Sequence, residues 1–93
     1  MADVHLPPTL SPLFAGLPRR LDLEAGSVGE ALALLDARWP GLRDRLCEPG
    51  AGRDAARALR PHIRVFVDGE RATLDTPLTA GARLDVIAAI SGG

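Results

Sequence analysis

The sequence predicts an α+β domain: a mixed sheet of four to five strands with one main helix packed on one face. Three observations point there. Four runs alternate apolar and polar residues with a period of two, at residues 2–6, 19–24, 62–68 and 83–89, which is the pattern of half-buried strands. Between the second and third runs lies a stretch of helical periodicity, residues 28–39. Asp68-Gly69 then marks a two-residue hairpin between the third run and a short return strand.

In the first run Val4 and Leu6 face one way and Asp3 and His5 the other; Pro7-Pro8 stops its ladder because proline has no N–H to donate. Leu10 to Gly16 is a loop with apolar anchors at Leu10, Leu13 and Phe14. In the second run Leu21 and Leu23 point inward, and the short connection predicts an antiparallel pair with the first. Ser27-Val28-Gly29-Glu30 fits a capping box, in which Ser27 accepts from the Glu30 amide and Glu30 reaches back. Val28, Ala31, Leu32, Leu35 and Trp39 then form one apolar stripe, with Asp36 and Arg38 on the wet side. Trp39-Pro40 ends the helix, since a residue before proline avoids helical dihedrals.

Leu42 to Leu46 adds a short helical turn. Glu48 to Pro61 is Gly- and Arg-rich and predicts the most mobile loop, with one weak helical turn over Asp54 to Arg60. In the third run Ile63, Val65 and Val67 face inward, while Arg64 and Phe66 face outward. Glu70 to Leu74 returns, and residues 75–81 are turn chemistry. In the last run Leu84, Val86 and Ala88 face inward and Asp85 and Ile87 outward. The order strand, strand, helix, strand, strand, strand is that of the β-grasp, ubiquitin-like arrangement. It places the first and last strands side by side and parallel. Residues 1–89 form this domain and residues 90–93, Ile90-Ser91-Gly92-Gly93, an appended flexible tail.

Composition narrows the function. Ninety-three residues make one domain, and a composition 46% hydrophobic and 25% charged is globular rather than disordered. A net charge of −1 and only three aromatic residues supply neither the basic face nor the stacking platform of a nucleic-acid binder. No apolar run approaches the ~20 residues of a membrane span, and the first residues carry Asp3 where a secretory signal carries basic groups; a cytoplasmic location is expected. Lone Cys47 beside a turn reads as a small buried hydrophobe. His5 and His62 lack metal-ligand or triad spacing, so no metal is expected. All 11 basic residues are arginine. An arginine-favouring genome accounts for this, and a chain with an activatable end also gains from having no amine to attack it.

From Ser27 onward the chain resembles the MoaD/ThiS family of ubiquitin-like sulfur-carrier proteins. The matching stretches are the capped helix, Arg64-Val65-Phe66-Val67-Asp68-Gly69-Glu70, Thr76-Pro77-Leu78 with Gly81, and Asp85-Val86-Ile87 leading into Ile90-Ser91-Gly92-Gly93. The resemblance implies that an E1-like adenylating and sulfurtransferase enzyme activates Gly93 with ATP, leaving a thiocarboxylate. A sulfur-accepting synthase would then use it in biosynthesis of molybdopterin, thiamine, cysteine or a sulfur-containing natural product. On this reading the chain binds no cofactor and is not itself an enzyme, because the partners supply the catalysis.

The residues support such an arm on their own terms. Gly92 and Gly93 have no Cβ and fit a narrow slot. Residues 90–93 span about 13–14 Å when extended at ~3.3–3.6 Å each, enough for Ile90 and Ser91 to carry the end into another protein's active site. Phe66 and Ile87 on the outward face suggest a contact patch, rimmed by Arg64 and Asp85, which set partner choice. The alternative is that both pack under the Glu48–Pro61 loop. A second function class fits the same tail, a ubiquitin-like modifier joined through Gly93 to lysines of other proteins; a third is a plain interaction domain.

Overall fold

The structure is a computed structural model that describes residues 1–48 and 58–88. In chain order it contains β1 (Ala2–His5), a 3-10 turn (Pro8–Leu10), β2 (Arg20–Leu23), α1 (Val28–Arg38), α2 (Leu42–Leu46), β3 (Cys47–Glu48), β4 (Ala58–Leu59), β5 (Ile63–Val67), β6 (Glu70–Ala72) and β7 (Arg83–Ala88). Five of the strands form one sheet in the order β2-β1-β7-β5-β6. β1 runs parallel to β7, with Val4 beside Leu84, and the other neighbours are antiparallel. This is the mixed sheet and β-grasp arrangement that the alternating runs predict.

Period-two patterning decides which face is dry. Val4, Val65 and Leu84 have no exposed surface and Ile63 and Val86 almost none, while α1 covers that face with Val28, Ala31, Leu32 and Leu35, all fully buried. These side chains form one continuous core. The register carries the alternation across strands: Val65 lies opposite both Val86 on β7 and Ala72 on β6.

The helix starts where the capping box predicts. Ser27 is extended at φ −153°, and its Oγ accepts the Glu30 amide at 3.1 Å. The two preceding helical amides are taken by the segment before β7: Val28 N–H donates to Thr76 O at 3.0 Å and Gly29 N–H to Leu74 O at 2.9 Å. A Cβ on Gly29 would stand 3.2 Å from that Leu74 carbonyl, so glycine permits the close approach. β6 ends at Ala72, two residues short of the predicted return strand, and the stretch after it, Leu74 included, straps the start of α1. Replacing Ser27 by Ala leaves the Glu30 amide without this partner. We expect a loss of about 1 kcal/mol and a fall of roughly 4–8 °C in Tm, measured by thermal denaturation.

At its other end α1 stops at Trp39, whose φ of −127° and ψ of 84° lie outside the helical region. Asp36, predicted on the wet side, has a structural task instead. Its Oδ1 accepts the amides of Gly41 and Arg43, both at 3.1 Å, and so caps the start of α2. The chain reverses at Gly41 and brings those amides back over the last turn of α1. α2 is the expected short helical turn, and both Leu42 and Leu46 are fully buried.

One expected element differs. The sequence predicts a weak helical turn over Asp54–Arg60, whereas its described residues Ala58 and Leu59 are extended and pair with Glu48 and Cys47 in a two-stranded ribbon. The reason is anchoring at its ends: Leu46 and Cys47 are buried, Leu59 packs against the core, and the Arg60 amide donates to Leu46 O at 2.9 Å. The Arg60 guanidinium adds bonds to Asp44 O from Nε at 3.0 Å and Nη2 at 2.8 Å. The rest of the loop predicted to be most mobile, residues 49–57, lies outside the described residues. Cys47 is 1% exposed, a packing residue rather than an accessible thiol.

The Asp68-Gly69 hairpin joins β5 to β6 with φ of +50° and +85° at its two central residues. Two positive dihedrals make a type I′ turn, whose twist matches that of the flanking strands. The predicted boundary at Ala89 and Ile90, with the tail beyond it, also falls outside the described residues.

Candidate functional site

β7 holds the central place in the sheet, with β1 on one side and β5 on the other. Its last described residue, Ala88, is paired with Ile63 of β5, and residues 89–93 follow from that point. Pairing with β1 covers only Arg83 to Asp85, whereas pairing with β5 continues to Ala88. β1 stops short because the chain turns away at Pro7-Pro8. That departure opens a cleft of about 350 Å³ lined by His5, Pro7, Pro8, Asp85, Ile87 and Ala88.

The sheet face opposite α1 carries the predicted patch. Ile87 is 45% exposed and lies opposite Arg64. Phe66 is half-buried and lies between Asp85 on β7 and Arg71 on β6. Gly92, Gly93, Ile90 and Ser91 lie outside the described residues, so the structure brings together Phe66, Ile87, Arg64 and Asp85 only. Of the two charged residues expected at the rim, Asp85 is held by its own strand: Arg83 Nε donates to Oδ2 at 3.0 Å and to Oδ1 at 3.2 Å. Arg64 turns back along the chain, with Nη1 on Pro61 O at 3.1 Å.

Sequence reasoning missed the polar half of this face. Asp3 accepts from Arg20 Nε at 2.9 Å through Oδ1, while His5 Nε2 lies 3.0 Å from its Oδ2. The hydrogen bond with His5, then that from Arg20, holds the Asp3 carboxyl below its ordinary value, and the same contact raises the Arg20 guanidinium. Strand parity alone places Asp3 and His5 on this face. Arg20 joins them only through the antiparallel register, which sets it opposite His5. The surface therefore reads as a polar flank over β1 and β2 beside an apolar centre at Phe66 and Ile87.

Among the described residues no cluster of three or more His, Cys, Asp or Glu could hold a metal, and no helix is long and apolar enough to cross a membrane. The face presents an apolar contact area at Phe66 and Ile87, close to Ala88, after which residues 89–93 follow.

The sequence profile of the ThiS family matches residues 13–93. No curated protein sequence matches the chain. Among solved structures, a chain of the Amycolatopsis orientalis BexX/CysO complex superposes with a TM-score of 0.76 at 22% identity, covering 100% of both chains. CysO of Mycobacterium tuberculosis gives 0.77 at 19% identity, covering 97% of this chain and 100% of its own. SAMP1 of Haloferax volcanii gives 0.68 at 30% identity, covering 99% of this chain and 98% of its own. With the β-grasp sheet, the strand order and a profile match reaching the final glycine, the chain belongs to the ThiS family, the ubiquitin-like sulfur-carrier family that its sequence resembles.

Proposed function

We propose that this protein carries sulfur as a thiocarboxylate on Gly93. The observation that carries the reading is the family match through residue 93, on a chain whose diglycine follows the central strand of the sheet within five residues. A carboxylate is a poor electrophile. An E1-like partner would join it to the α-phosphate of ATP, releasing pyrophosphate and making an acyl adenylate. Sulfide then forms a C–S bond as the C–O bond to AMP breaks, leaving the thiocarboxylate. With a persulfide as donor, the first product is an acyl disulfide, and a thiol must cleave its S–S bond. The thiocarboxylate sulfur is softer and more nucleophilic than oxygen and attacks an activated carbon on the accepting synthase.

In this scheme the chain is co-substrate rather than catalyst. Its body presents the handle, Phe66 and Ile87 with Arg64 and Asp85 beside them, and Ile90 and Ser91 accompany the glycines into the partner. The accepting partner we propose is a synthase in molybdopterin, thiamine, cysteine or natural-product biosynthesis; the neighbour CysO occurs in a complex with BexX. ATP belongs to the activating enzyme, and no resident cofactor is needed. A cytoplasmic setting suits these partners.

The test is intact-mass analysis after incubation with ATP, sulfide and the cognate E1-like enzyme. The expected result is a gain equal to one sulfur-for-oxygen exchange, mapped to Gly93; an unchanged mass in the presence of active enzyme overturns the reading. A second reading, conjugation through Gly93 to lysines of other proteins, is favoured by the 30% identity to SAMP1, a small archaeal modifier protein. Gly-Gly remnants on foreign lysines in digests would support it. The chain has no lysine of its own, so it cannot build chains on itself.

A further inference from the structure

A second cleft lies at the root of the tail and adjoins the Pro7-Pro8 opening, with which it shares Thr9 and Ala88. It measures about 500 Å³, and its lining includes Leu13, Arg45, Arg60, His62 and Ala88. Three elements distant in sequence meet there: the loop after β1, the end of α2 and the chain entering β5. No acidic residue lines it.

The two arginines differ in their partners. Arg60 is spent on Asp44 O. Among the described residues neither Arg45 nor His62 has an ion-pair or side-chain hydrogen-bond partner, whereas Arg20 and Arg83 on the sheet are paired with Asp3 and Asp85. The chain as a whole carries a net charge of −1, so this cleft is a local reversal of sign. Beside it Leu13 is 50% exposed, one of the few large apolar side chains left in solvent.

The geometry points to a docking site for an acidic segment of the E1-like activating enzyme, a stretch with one or more carboxylates next to an apolar side chain. This rests on the sulfur-carrier reading and extends it. Charge complementarity selects the carboxylates, and exposed Leu13 selects the apolar neighbour. Reach selects the part of the partner. Five residues separate Ala88 from the end of the sequence and span at most about 17–18 Å. With Gly93 extended into the adenylation centre, Arg45 and His62 remain at the mouth of its channel rather than on the nucleotide. The cleft therefore grips the partner's surface where the tail enters.

The experiment is ATP–pyrophosphate exchange by the cognate activating enzyme, with the full chain as varied substrate. Arg45→Glu is compared with Arg38→Glu, which makes the same change of charge at the exposed end of α1, outside the cleft lining. The expected result is a rise of about tenfold in KM for Arg45→Glu, with kcat held, a weaker dependence on salt, and Arg38→Glu within twofold of wild type. Arg45→Gln, a milder surface change, repeats the comparison should the reversal disturb folding, which thermal denaturation monitors. Equal KM for the two variants, or a fall in kcat without a change in KM, overturns the proposal while wild-type exchange still supports a carrier. Absence of exchange with the wild-type chain overturns both.

Discussion

Removing Gly93 is expected to end ATP-dependent sulfur loading while leaving the folded body intact. The adenylate and the thiocarboxylate both form on the final carboxyl carbon, and truncation moves that carbon back by one residue, about 3.3–3.6 Å. A misplacement of even 1 Å at a reacting centre costs on the order of 10²-fold in rate, so loading should fall by at least about that factor. The body should not notice: β7 is paired with β5 through Ala88, and among the described residues no member of the buried core lies beyond Val86. Two measurements separate these effects, intact mass after loading and the thermal midpoint. Loading that survives truncation would overturn the assignment of Gly93. A midpoint that collapses would show the tail to be part of the fold rather than its cargo arm.

Leu32→Ala should have the opposite profile. Leu32 is fully buried in the middle of α1, among the side chains joining helix to sheet. Truncation removes buried methyl groups and leaves a cavity that the close-packed surroundings fill only in part, a loss of about 2–5 kcal/mol. A domain of this size has roughly 5–15 kcal/mol in total, so the variant is expected to be marginal, with Tm lowered by roughly 8–40 °C. Leu34→Ala on the same helix is the control: Leu34 is 37% exposed, and its loss should cost under about 1 kcal/mol. Urea denaturation of the pair measures the contrast. Equal stabilities for the two variants would mean that α1 does not pack on the sheet as described.

The candidate surface was partly legible before any coordinates. Ile87 and Phe66 occupy outward positions of strands whose inward face is marked by Ile63, Val65, Leu84 and Val86, so their side of the sheet follows from parity. The pairing of Arg83 with Asp85, two apart on one strand face, was within reach of the same rule. The Asp3, His5 and Arg20 cluster was not, because Arg20 is 17 residues from Asp3 and joins it only through the β1–β2 register. The cleft containing Arg45 and His62 was further still from view, since those residues stand 17 positions apart in sequence and His62 sits in a segment that looks like ordinary strand.

What the sequence by itself determined is what arises between near neighbours. Alternation set the strands and their dry face, Ser27 and Pro40 set the limits of α1, Asp68-Gly69 set the hairpin, and the final glycines with the motifs before them set the family. Tertiary structure alone decided the rest: the β3–β4 ribbon, Asp36 as the cap of α2, the strap from Leu74 and Thr76 onto the first amides of α1, and the grouping of charges around the tail's root. Each of these joins groups that meet only after the chain has closed. Their free energy depends on distances and desolvation that the collapsed core imposes, and no local pattern of residues encodes those.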